Sequence, residues 1–307
     1  MDNSFFQDIL NRPENELFTE LRTEYMSIQH TKEKELPKVI GIGEGLVKVD
    51  LASINEKVFP LWAINKAVIA TARRRLGDEV NGMKDVAGMQ AEENSSLMSP
   101  LKEEDIKHYR IISAGYVPLF GIISNICNAL KQKGHIIVAI EGRAASGKTT
   151  ATCFLDDIFY LNVIRTDDFI LPEEMKTARR MEEAGGNFYY ERFCEEVVPF
   201  IKGTKKFTYN VFDYKTQSYT KTVTVCPRPV TIVEGAYSCH PNIGNIYDLK
   251  IFMTIFKKEQ NKRILMRNGE EGLKKFVKEW IPLENKYFEN FSIREKCDIV
   301  LLSGAGE

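Results

Sequence analysis

The chain has 307 residues, 43% hydrophobic and 28% charged, a balance that excludes wholesale disorder and fills one large core or two modest ones. Its 42 Lys and Arg oppose 43 Asp and Glu, so no global field draws it to nucleic acid or an anionic membrane, and any nucleotide must be held locally. Six scattered cysteines with no CxxC pair, an N-terminal stretch with acidic residues, and the lack of any apolar run long enough for a membrane span point to a reduced, cytoplasmic setting.

Residues 4 to 29 and 58 to 76 carry apolar positions at helical spacing. The second run ends in Arg73, Arg74 and Arg75, where cations suit a helix C-terminus. Between them, KVIGIGEGLVKVDL reads as strand or loop. From about 77 to 104 the chain is polar, carries several Gly and Ser, and shows no sustained period, which marks a linker. A further helix is expected from Ile106 to Lys131, stopped by Lys133-Gly134. The chain therefore divides into a mainly helical N-terminal region, 1 to 104, of unassigned role, and a second domain, 105 to 307.

From His135 the pattern changes. HIIVAIEG is a short β-branched run of the kind that forms a buried parallel strand, and it ends in a glycine-rich turn. Similar runs recur at NVIRTD, VTIVEG, DLKIFMTIF and CDIVLLSG, separated mostly by polar, helix-prone segments. That alternation predicts an α/β domain with a mostly parallel five-stranded sheet and flanking helices.

The turn Gly142-Arg143-Ala144-Ala145-Ser146-Gly147-Lys148-Thr149 satisfies G-x-x-x-x-G-K-[ST] and lies between a strand and the helix expected to run on through Thr150, which makes the α/β domain one of the P-loop NTPase class. Gly142, Ala144, Ala145, Ser146 and Gly147 would turn backbone N–H groups onto a nucleotide's phosphates, aided by the helix N-terminus. Lys148 would reach the β and γ phosphates, and the Thr149 hydroxyl would ligate Mg²⁺. ATP and Mg²⁺ are thus the expected cofactors. Phosphoryl transfer also needs carboxylates beside the loop, and in a parallel sheet the C-terminal strand ends share one crevice. Asp167 and Asp168 follow NVIRT, and Glu234 ends TIVE. Asp167 is assigned as general base and Glu234 as metal support. Arg263 and Arg267, four apart, would share one helix face as a cationic lid.

Taken together, the residues resemble the uridine kinase family of P-loop kinases, in its bacterial uridine kinase-like branch, over about 135 to 303. The blocks carrying the resemblance are VAIEGRAASGKTT, TDDFILPEEM, EAGGNFYYERFCEEVVPFI, VEGAYSCHPNIGNIYDLKIF, QNKRILMRNG, WIPLENKYF and CDIVL, in that order. The resemblance implies that Asp167 acts on the acceptor hydroxyl, that Glu234 helps order the metal, and that Arg263 and Arg267 belong to a lid. It also implies an acceptor site drawing on Asp168, Tyr189, Tyr190, Arg192 and Asp213.

Two positions depart from that pattern. Relatives that phosphorylate nucleosides carry an Asp after Asn-Phe that grips the ribose hydroxyls, where this chain has Tyr189. The His expected to contact the base near FDYKTQSY is replaced, with Gln217 at hand. A phenol cannot accept two hydroxyl hydrogen bonds as a carboxylate does, and each lost charge-assisted bond costs about 1.5 to 3 kcal/mol. This weakens the case for uridine itself.

The expected activity is ATP- and Mg²⁺-dependent transfer to a hydroxyl of a nucleoside-like small molecule. Rival readings are a kinase of another metabolite, such as a sugar or a pantothenate-like acceptor, and a nucleotide-dependent switch whose N-terminal region binds a partner. Nucleic acid and membrane are not expected partners, and self-association stays open. His240 is expected to be a structural hydrogen-bonding residue, and Trp280 and Tyr287 packing residues.

Overall fold

The computed structural model describes residues 3–28, 35–77 and 108–304. Beyond Gly77, the expected linker lies outside the described residues. Two compact units are formed: Met1–Asn128 with Cys153–Phe159, and Ala129–Thr152 with Tyr160–Glu307. This grouping divides the chain later than residue 104, where the sequence places the change of domain.

In the first unit, the stretch 4 to 29 expected to be helical is two helices, α1 (Asn3–Asn11) and α2 (Glu14–Ser27). Pro13 causes the break: at φ −58° and ψ 140° it stands ahead of α2, and its carbonyl accepts from Glu16 and Leu17. A hairpin follows, β1 (Val39–Gly43) and β2 (Leu46–Asp50), turned through Gly43, Glu44 and Gly45, all with positive φ. The helix α3 (Leu61–Leu76) ends at Gly77, which takes the left-handed conformation at φ 75°.

The expected helix from Ile106 is corrected at its start. Tyr109–Ser113 is a strand, β3, paired antiparallel with β2, and α4 begins only at Phe120 and runs to Lys133. Helical spacing alone did not reveal this strand; the open edge of β2, far away in sequence, decides it. Arg74 is also more than a charged helix end. It pairs with Asp157, donates to Tyr116 Oη at 2.8 Å, and lies 4.4 Å over the Phe154 ring.

The second unit is built on β4 (Ile136–Gly142), whose seven residues are all buried, as an inner strand covered on both faces requires. It leads through the glycine-rich loop into α5 (Lys148–Ile158) and β5 (Leu161–Arg165). Short helices α6 (Ala178–Glu182) and α7 (Tyr190–Glu196) precede an antiparallel hairpin, β6 (Phe207–Asp213) with β7 (Ser218–Val225). Then come β8 (Val230–Glu234), β9 (Leu249–Ile255), α8 (Lys257–Lys275), α9 (Ile281–Phe291) and β10 (Ile299–Ser303).

The sheet order is β10-β9-β4-β8-β5, and every pairing is parallel. Register sets the site: Glu234 stands opposite Ile140 on one side and Arg165 on the other. Three strand tips therefore end level, two residues before Gly142 on β4 and two before Asp167 after β5. Gly142 is required where it sits. At φ 139°, a Cβ there would lie 2.0 Å from the Met253 carbonyl oxygen on β9.

Candidate functional site

The loop between β4 and α5 is shaped by positive φ at Gly142 (139°), Ala145 (58°) and Gly147 (89°). Lys148 folds back along it, donating through Nζ to the carbonyls of Gly142 at 2.8 Å and Arg143 at 2.9 Å. Two helices brace the loop from outside. From α8, Gln260 Nε2 donates to Ala144 O at 2.9 Å and Arg263 Nη1 to Ala145 O at 3.3 Å. From α9, Glu284 Oε2 accepts from the Ala144 amide at 2.9 Å and Asn285 Oδ1 accepts from Arg143 at 2.5 Å.

The buried Glu234 carboxylate accepts from Thr149 Oγ1 at 2.8 Å and lies 3.8 Å from Arg165. Burial pushes its pKa up, against the opposing pull of the Thr149 bond and Lys148. Two hard oxygens this close, one of them on a buried carboxylate, fit a Mg²⁺ ion that keeps waters and phosphate oxygens as its other ligands. Asp167 sits in a tight turn, Thr166–Phe169, just past β5, and its charge bears on Glu234 and Glu284. Gly235 allows this approach, because a Cβ there would lie 2.0 Å from Thr166 Oγ1.

Two further carboxylates belong to this group. Glu141, fully buried, accepts from the Gly142 and Cys239 amides and from Tyr287 Oη at 2.8, 3.0 and 2.9 Å. Glu284 is pushed up to about 7, mainly by burial; Lys148 and the Ala144 amide pull it down, and Glu141 and Asp167 push it up. Lys148 thus sits in the field of Glu141, Glu234 and Glu284 at once. Gln260, Glu284 and Asn285 had no assigned role in the sequence reading. Their signal was present in KEQNKR and WIPLENKYF, but side chains that brace a loop from distant helices carry no fixed spacing to it.

Asp168 is turned to the fold. It accepts from Tyr209 Oη at 3.0 Å, its backbone carbonyl accepts from Arg192 at 3.0 Å, and burial pushes its carboxyl up. Arg192 is buried, 4.2 Å over the Phe169 ring, with a second bond to the Asn210 carbonyl. The segment 187 to 189 runs antiparallel beside the acidic turn, with Leu171 N on Asn187 O at 2.9 Å and Tyr189 N on Phe169 O at 2.8 Å. Tyr190 bonds Arg180 at 2.5 Å and stacks on His240, centroids 4.8 Å apart. Burial lowers His240 to about 4, so it is neutral near pH 7, as expected of a structural histidine.

Asp213 caps the β6–β7 turn, accepting from the Lys215 amide at 2.7 Å, and Gln217 bridges Glu173 N and Tyr214 O. The two lid arginines diverge: Arg263 reaches the loop, whereas Arg267 is exposed and bonds Asn268 Oδ1 at 2.9 Å. A break in α8 at Gly269, φ 70° and ψ −177°, follows close behind Arg267.

A buried central strand, a glycine-rich turn with its Lys and Thr, and a bonded acid on the next parallel strand are now in place. The fold is that of P-loop NTPases. No protein-family model and no curated protein matches the chain. Among solved structures, it is similar to a "possible uridine kinase" from Bacillus stearothermophilus at 16% identity, over 59% of this chain and 98% of that one, with a TM-score of 0.43. It is also similar to a protein provisionally assigned as a fructose transport system kinase from Silicibacter sp. TM1040, at 19% identity over 57% and 96%, with a TM-score of 0.45. Among the described residues no helix is long and apolar enough to cross a membrane.

Proposed function

We propose that the chain is an ATP- and Mg²⁺-dependent phosphotransferase that moves the γ-phosphoryl group to a hydroxyl of a small, nucleoside-like acceptor. The carrying observation is the 2.8 Å bond between Thr149 and Glu234, with Asp167 on the neighbouring strand tip and Lys148 beside both. Thr149 and Glu234 would hold Mg²⁺, which supplies positive charge to the β and γ phosphate oxygens.

The protein's own groups do the rest. Lys148 leaves its loop carbonyls for the phosphates, and the amides of 144 to 149 receive their charge. Asp167 takes the acceptor proton as the new O–P bond forms and the bond to the β-phosphate oxygen breaks, releasing ADP. Arg263, already on the loop through Ala145, neutralises charge on the moving group, and Arg267 would join it on closure of α8 about Gly269.

Tyr189 in place of a ribose-gripping carboxylate favours keeping a second acceptor class, a free sugar or a pantothenate-like alcohol. One experiment addresses activity and acceptor together: incubate a metabolite mixture with ATP, Mg²⁺ and protein, and read masses. One compound gaining about 80 Da, a phosphoryl group, with wild type and not with Lys148→Ala is the expected result. No gain on any compound would remove the reading.

A further inference from the structure

The proposed reaction leaves the charge of Glu284 unused, yet this side chain sits on the phosphate loop itself. Glu284 is 7% exposed, and its Oε2 accepts from the Ala144 amide at 2.9 Å. The carboxyl is held in place from its own helix: on α9, Asn285 holds Arg143, and Tyr287 reaches the loop through Glu141, which accepts from the Gly142 amide. From α8, Gln260 Nε2 fixes the other side of Ala144 by donating to its carbonyl at 2.9 Å. The remaining carboxyl oxygen, Oε1, makes no hydrogen bond among the described residues. A carboxylate so placed is costly to bury while it keeps its charge, and a proton or a ligand on Oε1 removes that cost.

The groups around Glu284 decide which. Burial pushes its carboxyl up to about 7; Lys148 from α5 and the Ala144 amide oppose that, and Glu141 from β4 and Asp167 from the turn after β5 add to it. The Tyr237 phenol lies in its field, and α8 adds the neutral Gln260 and the Arg263 cation on the Ala145 carbonyl. Both forms of Glu284 are therefore populated near neutral pH in the empty site. Nucleotide entry tips the balance one way: Lys148 turns to the β and γ phosphates, and their negative charge arrives beside the carboxyl. An ionised Glu284 would repel them. A protonated one offers a carbonyl oxygen to Ala144 and an O–H to a phosphate. We propose that Glu284 is a nucleotide-binding residue that takes a proton from solvent as ATP enters, keeps its carbonyl oxygen on the Ala144 N–H and donates its O–H to a phosphate oxygen, so that the Ala144 amide serves the phosphate through the carboxyl. The inference rests on the phosphotransfer reading and adds a proton-linked donor to its nucleotide site. By linkage, a site that gains a proton on binding loses affinity as pH rises through the range where the empty site gives that proton up.

The test is calorimetry of the full chain with Mg²⁺ and the imido analogue of ATP, which is not hydrolysed, in buffers of different ionisation enthalpy. At about pH 8 wild type should take up about half to one proton per nucleotide bound, and its affinity should fall about three- to fivefold from about pH 7 to about pH 8. Glu284→Gln mimics the protonated form, with an oxygen for Ala144 and a permanent N–H donor for the phosphate. It should lose the proton uptake and bind at about pH 8 as tightly as wild type does at about pH 6. Glu284→Leu, neutral but without a donor, should bind about five- to tenfold more weakly than Glu284→Gln. Absence of proton uptake by wild type overturns the inference without any variant. Equal uptake in wild type and Glu284→Gln gives the proton to another group and overturns it too, and Glu284→Leu binding as tightly as Glu284→Gln overturns the O–H contact. If no nucleotide binds at any pH, the phosphotransfer reading falls, and this inference with it.

Discussion

The Thr149 hydroxyl and Glu234 Oε1 are joined at 2.8 Å, so the first turn of α5 is tied to the tip of the strand beside β4. Replacing Glu234 by Gln keeps an oxygen that can accept from Thr149 and removes the charge. The Mg²⁺ concentration giving half-maximal activity should rise about 10- to 100-fold. Because burial disfavours this carboxylate in the fold, the thermal midpoint should not fall. A Mg²⁺ titration of ADP release checks both, and an unchanged titration would take Glu234 out of the metal site.

Asp167→Asn keeps size and polarity but cannot take a proton. The turnover number should drop about 10²- to 10⁴-fold, while nucleotide affinity, measured by calorimetry, changes little. A loss of nucleotide binding in step with turnover would mark Asp167 as part of the nucleotide site instead.

Glu284 makes stability depend on pH. Its carboxyl is pushed from 4.5 up to about 7 in the fold, so the native state holds this proton more tightly than the unfolded chain. Stability should therefore fall as pH rises from about 4.5 to about 7, by up to an order of 3 kcal/mol, with the loss complete above 7. Glu141, Glu234 and Asp168, also pushed up, act in the same sense. Urea midpoints across this window should show a shallower slope in Glu284→Gln than in wild type, and parallel slopes would refute the assignment.

Gly142→Ala tests the close approach of β9. The added Cβ would lie 2.0 Å from Met253 O at a φ of 139°, so strand or loop must shift. Destabilisation on the order of 4 kcal/mol is expected by chemical denaturation, together with loss of nucleotide binding. Gly134→Ala, where a Cβ meets nothing within 4 Å at a φ of 70°, is the control for the strain of positive φ alone.

Much of the second unit was legible because its signals are local. A β-branched run ending in Gly142 to Thr149 specifies strand, phosphate turn and helix within about 25 residues, and short apolar runs announced the other parallel strands. The same locality located Glu234 and Asp167 at strand ends. It also misled: Tyr109–Ser113 carries helical spacing yet forms β3, because β2 offers an unpaired edge. Pro13 divides the helical stretch into α1 and α2, because it cannot continue a helix from the residues before it.

What lay beyond the sequence was mostly polar and buried. That Arg192 packs against Phe169, that Glu284 and Gln260 brace Ala144 from more than 100 residues away, and that Arg263 and Arg267 part company all depend on tertiary packing or on a single break in α8. Hydrophobic period and turn chemistry are written residue by residue along the chain and so determine strands, turns and the phosphate loop. Which polar side chains finish buried beside that loop depends on long-range packing, where a carboxylate or hydroxyl is kept only if neighbours from distant segments compensate its lost water.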